Sequence, residues 1–469
     1  MWAVAMCVAA LFAGCSKEEV PQAPEQPSVV PALEITEESR LLTKARQFVF
    51  DYTSEAYLWN PYINDTITQA SADTPQELFE LMRYKELDSW SYVAENSAEA
   101  MESYRGVSTT FGYSLTFGRF SNMADSYFAV IEFVYEDSPA QAAGLRRGDI
   151  IVSVNGADIT KRNYQQLYYG STISIGTGEI HGNTISSTGV EIEITAVKMY
   201  EDPVVAHNVI ECAGKKVGYL MYAGFLTESH ARLVEVFNEF KEAGVEELIL
   251  DLRYNLGGNA KTPPYLASMI APRNVVRNKS VFLREIWNPL YTAYYQSRKI
   301  DMNVYFQEDI DVNLNLERVF VLTTPSTASA SEATIVGLMP YMQVVKIGET
   351  SYGKYCGAVL LTPTDATGKE DKEISNWLLS LVIYKFANKD GYTDFKDGIT
   401  PDYMVPDSGM LAAIPLGNPE DPMIAKALSL IEGTKSPVQQ KGCVVKGVEM
   451  LPEFSHRAFR GGYYTVGIK

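Results

Sequence analysis

A serine and a lysine, Ser329 and Lys354, are the residues of this chain whose types and spacing could carry out catalysis. Lys354 follows Ser329 by 25 residues, a separation that one helix and one strand can fill. A serine hydroxyl becomes a nucleophile when a neighbouring base removes its proton, and a neutral lysine amine can be that base. The pair therefore predicts a serine hydrolase whose base is a lysine.

The segments around this pair predict a strand–helix–strand unit. Residues 318–322 (RVFVL) form a short apolar run that is typical of a buried strand. Apolar residues recur at helical spacing over residues 330–341, and residues 343–347 (QVVKI) predict a second strand. Such a crossover makes the two strands parallel. It places Ser329 and Lys354 at the carboxyl edge of the sheet, where open α/β sheets bind ligands.

A third loop is expected at the same edge. Residues 245–252 (VEELILDL) predict a strand, which leads into a loop ending in Gly257 and Gly258. Glycines admit positive φ and leave their N–H groups uncovered, as an oxyanion hole requires. The N–H of Ala330, at the helix start, is a further candidate donor. We therefore predict an oxyanion hole formed by Gly257, Gly258 and Ala330.

The base is predicted to be a buried, uncharged lysine. The chain has four histidines, His181, His207, His230 and His456. None of them falls in the three loops, although the fold could bring His207 close. The pKa of a lysine must fall from about 10.4 by roughly three units to work near pH 7, which costs about 4 kcal/mol. Local candidates for the apolar wall that would lower it are Tyr352, Tyr355, Val359 and Leu360.

Other interpretations of these residues stay open. Ser326, Ser329 and Ser331 are close in sequence, and a serine here could serve only to cap the helix. We prefer Ser329 as the nucleophile, with Ser331 second and Ser326 third. Taken alone, Lys354 could be a solvated loop lysine.

Four sequence runs together resemble the C-terminal processing peptidases, also called tail-specific proteases. The runs are STASASE (326–332), GETSYGK (348–354), DLRYNLGG (251–258) and GITPD (398–402), and the resemblance extends over roughly residues 36 to 430. It implies that Ser329 is the nucleophile and Lys354 the base, which agrees with the choice made from spacing.

Two positions depart from the pattern of that family. A glutamine usually follows the lysine by four residues and orients its amine, but this chain has Ala358 there. The glycine that usually follows the lysine is replaced by Tyr355. The third catalytic residue is therefore open, and Glu332 or another polar group could orient Lys354 if the loop is shifted.

Residues 106–202 resemble the PDZ domain of the same peptidases, chiefly through the run SPAQAAGLRRGDIIVSVNG (138–156). The residues that fall where its carboxylate-binding loop lies are Phe111, Gly112, Tyr113 and Ser114. Such a module adds a peptide strand to a sheet edge and holds its terminal carboxylate with main-chain N–H groups. These four residues are the predicted substrate-binding residues. The alternative is a structural β-domain that binds nothing.

The first residues resemble a bacterial lipoprotein signal. Residues 2–13 are apolar but too few to span a bilayer, and small residues precede Cys15. The resemblance implies cleavage before Cys15 and lipidation of its thiol, and residues 16–19 (SKEE) resemble the export tag of surface-exposed lipoproteins in Bacteroidetes. No Lys or Arg precedes Lys17, so the usual basic start is absent. We expect a cell envelope lipoprotein, periplasmic or surface-exposed, held to the membrane by this lipid.

Composition argues against several classes of function. The chain has 469 residues, 46% of them hydrophobic, so it can bury more than one core. Its net charge of −18 argues against a nucleic-acid partner. There is no H-E-x-x-H or paired C-x-x-C motif, so we expect no metal and no cofactor. Cys356 is expected to be a packing residue because no histidine accompanies it.

The predicted fold class is an α/β core, a mixed sheet with crossover helices of crotonase-like or ClpP-like type, plus a PDZ-like β-domain and a small N-terminal helical domain. The predicted boundaries are a lipoprotein signal peptide at 1–14, a tether at 15–35, the helical domain at 36–105, the PDZ-like domain at 106–202, the serine peptidase core at 203–435 and a C-terminal extension of unknown role at 436–469. No residue of the helical domain is singled out as catalytic.

The predicted function is that of a serine endopeptidase that cleaves protein or peptide substrates near C-terminal tails held by the PDZ-like domain. An alternative is a catalytically weak or inactive binding protein for peptides or apolar ligands, since a retinoid-binding relative of these peptidases uses the same scaffold. A third is a hydrolase of small acyl substrates.

Overall fold

The computed structural model describes residues 36–120, 127–181, 184–365, 367–434, 448–451 and 463–466. The predicted signal peptide, the tether and the lipidation site Cys15 lie outside the described residues. Within these ranges, no helix combines the length and the apolar character needed to cross a membrane.

The N-terminal module is mainly helical. Its elements are α1 (Glu37–Ala56), α2 (Pro75–Met82), β1 (Tyr92–Ala94) and α3 (Ser97–Tyr104). α2 begins with a capping box in which the Thr74 hydroxyl accepts from the N–H of Glu77, and the Glu77 carboxylate accepts from the N–H of Thr74. Proline follows at the first helical position, where its missing N–H costs no hydrogen bond.

The second module is a β-domain with a core of its own. Its elements are β2 (Val107–Thr110), β3 (Tyr113–Phe120), β4 (Tyr127–Val134), α4 (Pro139–Ala142), β5 (Ile150–Val154), β6 (Ala157–Asp158), α5 (Gln166–Tyr169), β7 (Thr172–His181), β8 (Thr184–Thr195) and β9 (Val197–Tyr200). The main sheet contains β3, β4, β5, β7 and β8 in that spatial order, all antiparallel. β2 pairs with β9, so the two ends of the module lie together.

The third module holds most of the remaining chain. Its elements are β10 (Val204–Cys212), β11 (Lys215–Tyr222), α6 (His230–Ala243), β12 (Glu247–Asp251), β13 (Gly258–Asn259), α7 (Thr262–Ile270), α8 (Arg273–Arg277), β14 (Val281–Trp287), α9 (Pro289–Arg298), β15 (Asn303–Tyr305), β16 (Arg318–Thr323), α10 (Ala330–Leu338), β17 (Gln343–Gly348), β18 (Cys356–Leu361), β19 (Leu378–Ala387), β20 (Tyr403–Met404) and α11 (Pro422–Glu432).

One sheet of this module contains the predicted parallel strands. Its spatial order is β10-β11-β12-β16-β17-β20, and the neighbours from β11 to β20 are parallel. α10 connects β16 to β17, as the sequence predicted. The helix ends at Leu338 rather than at Tyr341, because Pro340 has no N–H with which to continue the helical hydrogen bonds.

A second sheet faces the first across α10. It contains β13, β18, β19, β14 and β15, and β1 of the N-terminal module pairs with β19. Every residue of α10 is buried, and the helix packs against α7, β14, β17 and β19. A helix that is buried on all sides is enclosed by its neighbours and has no solvated face. The residue at its start is therefore held in a fixed position.

Two strands belong to the C-terminal extension, whose structure the sequence did not predict. β21 (Val448–Leu451) pairs with β3 of the second module. β22 (Tyr463–Val466) lies between β13 and β18 of the third module.

Candidate active site

Three loops meet at the carboxyl edge of the parallel sheet, after β12, β16 and β17. The first contains Gly257, where an added Cβ would lie 3.0 Å from the Ser329 Cβ and 3.0 Å from the Ala330 nitrogen. The glycine loop therefore touches the start of α10, and only a residue without a side chain fits there.

The carboxylate of Glu332 joins the serine loop to the lysine loop. Its Oε2 accepts from the N–H of Ser329 at 2.7 Å and from the N–H of Lys354 at 2.9 Å. Its Oε1 accepts from the N–H of Gly353 at 2.7 Å and from the hydroxyl of Ser351 at 2.5 Å. Burial raises the pKa of Glu332 to about 7, although these donors favour the charged form. Because one oxygen serves both residues, the main chains of Ser329 and Lys354 are adjacent.

Ser329 has an unusual backbone conformation. It is the cap of α10, its φ is 60° and its ψ is −105°, and its side chain is fully buried. A non-glycine residue in this region is strained, and such strain is concentrated at functional sites. A sharp strand-to-helix turn is also how other hydrolases present a serine nucleophile. The hydroxyl of Ser331, the second choice, instead donates to the main-chain oxygen of Asn255 at 2.9 Å.

Lys354 is a buried lysine with a perturbed pKa. Only 3% of the residue is exposed, and burial lowers its pKa to about 8 against the opposing effects of Cys356, Asp88 and Glu332. Its Nζ lies 5.7 Å from the centre of the Trp90 ring. At pH 7 about a tenth of the amine is thus uncharged, and this neutral fraction is the form that a general base requires.

The sequence did not reveal the part that the N-terminal module takes in this environment. Trp90 and Asp88 both come from the loop before β1. The Asp88 carboxylate accepts from the N–H groups of Trp90 and Ser91, at 2.9 Å each, and from the Tyr57 hydroxyl at 2.7 Å. Nothing in the local sequence signals that this loop reaches a lysine more than 250 residues away.

The predicted wall around Lys354 is only partly correct. Tyr355 is buried and its ring makes an edge contact with that of Trp90. Tyr352 is 37% exposed, so its assignment to the wall is wrong. Val359 and Leu360 are buried in β18, but Leu360 packs with Leu378 in a separate cluster.

The two glycines of the predicted oxyanion hole have positive φ, 110° at Gly257 and 146° at Gly258. The N–H of Gly257 donates to Oδ1 of Asn255 at 2.9 Å, and Nδ2 of Asn255 donates to the Tyr222 carbonyl at 2.7 Å. Asn255, which the sequence did not single out, thus stabilises the loop. Its side-chain oxygen accepts the hydrogen bond of the Gly257 N–H, so that this donor is already used. The N–H of Ala330 is the first of its helix and has no acceptor among the described residues.

The predicted carboxylate-binding residues, Phe111, Gly112, Tyr113 and Ser114, lie at the start of β3. The side chains of Phe111 and Tyr113 are buried in the core of the second module, so only their main chain can meet a peptide. The N–H of Gly112 donates to Oγ1 of Thr110 at 3.0 Å.

A cavity of about 140 Å³ separates the second module from the third. Tyr113 and Ser114 line it on one side, and Gly257 and Gly258 line it on the other. The hydroxyl of Ser114 donates to Glu132 at 2.6 Å, and burial raises the pKa of Glu132 to about 7. The predicted carboxylate loop and the predicted oxyanion loop therefore share one cavity.

The histidines within the described ranges have partners elsewhere. His181 pairs with Glu179, His207 with Glu239 and His230 with Thr262, whereas His456 lies outside those ranges. None of these partners belongs to the three loops. The suggestion that the fold brings His207 to the site is wrong.

Comparison with known proteins agrees with this arrangement. Residues 216–405 match peptidase family S41, residues 44–92 match the N-terminal domain of that peptidase family, and residues 130–169 match a PDZ domain. The chain is therefore similar to peptidase family S41 over its third module and its N-terminal module. Ser329, Lys354 and the glycine loop all fall within the first match.

Curated relatives of this chain are named as processing proteases. A carboxyl-terminal-processing protease from Picosynechococcus sp. is 24% identical over 300 residues, covering 63% of this chain and 64% of the relative. One from Synechocystis sp. is 23% identical over 303 residues, covering 63% of each chain. The chain thus spans slightly less than two thirds of the length of these curated relatives. A Bacteroides fragilis structure described as an S41 protease is 26% identical, with a TM-score of 0.67, and the match covers 82% of this chain and 97% of that one.

This chain has a small apolar residue at the position of the missing glutamine. Ala358 is buried in β18, directly after a β-bulge that begins at Gly357. Cys356 is also buried, and burial raises the pKa of its thiol well above the usual value, so the thiol stays protonated. Cys356 is therefore a packing residue. The Glu332 carboxylate holds the main chain of Lys354, and the Trp90 ring lies beside its amine.

Proposed function

We propose that this protein is a serine endopeptidase that acts through Ser329 and Lys354. The observation that carries the proposal is the arrangement around Glu332, whose single oxygen fixes a strained serine next to a buried lysine with a pKa of about 8. A lysine whose pKa is lowered toward the physiological range and that lies beside a serine satisfies the requirements of a general base.

In the proposed reaction, the neutral Nζ of Lys354 takes the proton from Oγ of Ser329 as Oγ attacks the peptide carbonyl carbon. The ammonium then gives this proton to the leaving nitrogen, and the C–N bond breaks to leave an acyl-enzyme. Lys354 next takes a proton from water, whose oxygen attacks the acyl carbon and releases Ser329 with its proton restored.

Ala330 supplies one donor to the negative oxygen of the intermediate, and Gly257 or Gly258 supplies the other. The donor of Gly257 becomes available only when the Asn255 side chain turns away from it. Loss of one such donor costs on the order of 3 kcal/mol of barrier.

The proposed substrates are proteins or peptides whose C-terminal tail is held by the PDZ-like module while the chain is cut nearby. The cavity that joins Ser114 to Gly258 supports this, as does the carboxyl-terminal-processing activity in the names of the relatives. A non-cleaving binding protein is not favoured, because those relatives are named as proteases. Hydrolysis of small acyl substrates is separated from proteolysis by assaying simple esters.

Two further parts of the proposal concern architecture and location. We propose that the core is of crotonase-like or ClpP-like type, which the parallel crossover β16-α10-β17 supports. We also propose that residues 1–14 are a lipoprotein signal and that Cys15 carries a lipid, so that the protein is attached to a membrane of the cell envelope. Radiolabelled palmitate incorporation into the chain, compared with Cys15→Ala, tests the second part.

The proposed activity is tested with casein as an unstructured substrate. Ser329→Ala and Lys354→Ala should each abolish cleavage, whereas the matched surface variants Ser297→Ala and Lys241→Ala should cleave as the parent does. Cleavage that survives either of the first two substitutions overturns the assignment. Near-UV circular dichroism of each variant shows whether the fold is retained.

A further inference from the structure

The C-terminal extension occupies two positions on strands that adjoin the predicted carboxylate-binding and oxyanion loops. The first is the outer edge of β3. β21 runs antiparallel to β3, with Val448 opposite Phe120 and Leu451 opposite Phe117. The segment therefore advances toward the start of β3, where Gly112 and its neighbours form the predicted carboxylate-binding loop.

β21 makes specific contacts on this edge. Glu449 accepts from Nε and Nη2 of Arg119, at 2.8 Å and 2.6 Å. Leu451 is 5% exposed and packs in the core of the PDZ-like module. Strand addition to an exposed edge, with one side chain in an apolar site, is a recurring mode of peptide recognition. Without β21, β3 would be an edge strand of its sheet.

The second occupied position is the slot between β13 and β18. β22 lies parallel to both strands, and Tyr463 pairs with Gly258 on one side and with Gly357 on the other. Gly258 belongs to the predicted oxyanion loop, and Gly357 follows Lys354 by three residues. The main chain of β22 thus lies between the predicted oxyanion loop and the strand that follows Lys354.

We infer that residues 448–451 and 463–466 act as a tethered ligand that occupies this protein's own peptide-binding edges, and that a substrate must displace it. The ligand is a polypeptide strand of the same chain, recognised through main-chain pairing and through Leu451. The regulatory part of this inference rests on the proposed proteolysis, but the occupancy of the two edges does not. Ser329 has no exposed surface in this structure, and this burial agrees with a closed site.

A tethered ligand is present at an effective concentration in the mM range, so it competes strongly with substrates even when its own affinity is modest. Competition of this kind raises KM for a protein substrate and leaves kcat unchanged. We expect release of the extension to lower KM on the order of tenfold.

A double substitution in the full-length protein, Leu451→Asp/Thr465→Pro, is designed to release the extension. We call this variant the released chain. The aspartate places a charge in the apolar site, and the proline removes an N–H from a strand that has neighbours on both sides. The matched control is Leu451→Met/Thr465→Val, which keeps an apolar side chain and a strand-forming residue.

Binding is measured in the Ser329→Ala background with a fluorescein-labelled synthetic peptide of residues 446–469. The released chain should bind this peptide, and the control chain should not, because its edges are already filled. Equal binding by both chains, or binding by neither, overturns the inference. This result does not depend on catalysis, so it stays interpretable if no variant cleaves casein and the proposed function fails.

Cleavage is then measured with Ser329 restored. The released chain should cleave casein with a lower KM, and added unlabelled peptide should reverse the gain. A released chain that loses both activity and near-UV dichroism shows that the extension is only a structural part of the fold, which contradicts the inference. An unchanged KM contradicts the inference that the extension competes with substrates.

A second design leaves both strands in place. Arg119 and Glu449 lie directly opposite each other, so Arg119→Cys/Glu449→Cys can be linked by a disulfide that prevents the release of β21. Oxidation should suppress casein cleavage and dithiothreitol should restore it, whereas the single variant Glu449→Cys should not respond. Equal rates in both redox states would mean that substrates do not displace β21.

Discussion

At the scale of single residues, burial of the Lys354 amine opposes the stability of the fold. A pKa of about 8 instead of 10.5 corresponds to about 3 kcal/mol of differential interaction between the two protonation states. The folded pKa is below the unfolded one, so between pH 8 and 10.5 the unfolded chain binds more protons. Stability therefore rises with pH across this window, and the full penalty is present below it.

Replacing Lys354 with methionine should abolish activity and stabilise the protein at neutral pH. Methionine keeps most of the volume and removes the charge, so we expect a gain of up to about 3 kcal/mol at pH 7 that vanishes above pH 10.5. Urea unfolding at several pH values measures this difference, with the exposed Lys241→Met as the control. A parent and a variant of equal stability at pH 7 would show that the amine is hydrated.

Glu332 is the residue that positions both members of the pair. In Glu332→Gln, the amide NH₂ would face N–H or O–H donors that now point at a carboxylate oxygen, and each unsatisfied buried group costs about 1–3 kcal/mol. We expect a large loss of kcat together with lower stability. Glu242→Gln, on the exposed surface of α6, is the matched control.

If Glu332 had a purely structural role, its replacement would lower the activity without altering the pH dependence of that activity. The negative charge of Glu332 raises the pKa of Lys354, so its removal should shift the acidic limb of the kcat/KM profile to lower pH. A profile with an unchanged midpoint would argue against electrostatic contact between the two residues.

At the scale of the elements, the glycine loop shows how a backbone path fixes a site. At Gly258, φ is 146° and an added Cβ would lie 2.1 Å from the main-chain oxygen of Phe225. Gly214, in the turn between β10 and β11, has a φ of 75° and no atom within 4 Å of an added Cβ. The two positions share a positive φ and differ in the space around them.

Gly258→Ala should therefore be much more damaging than Gly214→Ala. The first must displace main chain in the loop that faces Ser329, so we expect a stability loss of roughly 3 kcal/mol and no casein cleavage. In Gly214→Ala the alanine must only adopt the left-handed backbone conformation, which costs about 1 kcal/mol, so this variant should keep its activity. Urea unfolding and cleavage assays on both variants measure the difference. Similar losses in the two would mean that conformational strain alone, and not the close approach to Phe225, sets the cost.

The same elements show what a sequence can disclose. β16, α10 and β17 were predictable because apolar runs, a proline and a glycine mark them locally, and their crossover fixes which edge Ser329 and Lys354 share. Trp90 could not be predicted as part of the site, since its contact with Lys354 joins segments that are distant in sequence, and the same holds for the bond from Asn255 to Tyr222. β21 and β22 were missed for the same reason, because four-residue strands exist only through the partners that they find.

At the scale of the whole molecule, a buried ionic network connects the PDZ-like module to the core. Arg147 donates to the main-chain oxygen of Glu132 at 2.7 Å and to the Tyr254 hydroxyl at 2.6 Å, and it pairs with Asp407 at 3.3 Å. Tyr254 in turn donates to Asp407 and belongs to the loop that ends in the two glycines. Burial alone would raise the pKa of Asp407, but Arg253 and Arg147 hold it below its usual range.

Arg147→Ala should uncouple the two modules. Removing one partner of a buried ion pair typically costs 3–5 kcal/mol, because the remaining charge stays buried without its partner. We expect a lower Tm, a calorimetric transition that separates into two, and a fall in kcat through the loss of support for Tyr254. The neighbouring Arg146, whose side chain is 83% exposed, provides the control, and Arg146→Ala should change stability by less than about 0.5 kcal/mol. If Arg147→Ala unfolds in a single transition and keeps the parent kcat, the orientation of the PDZ-like module has no influence on the glycine loop.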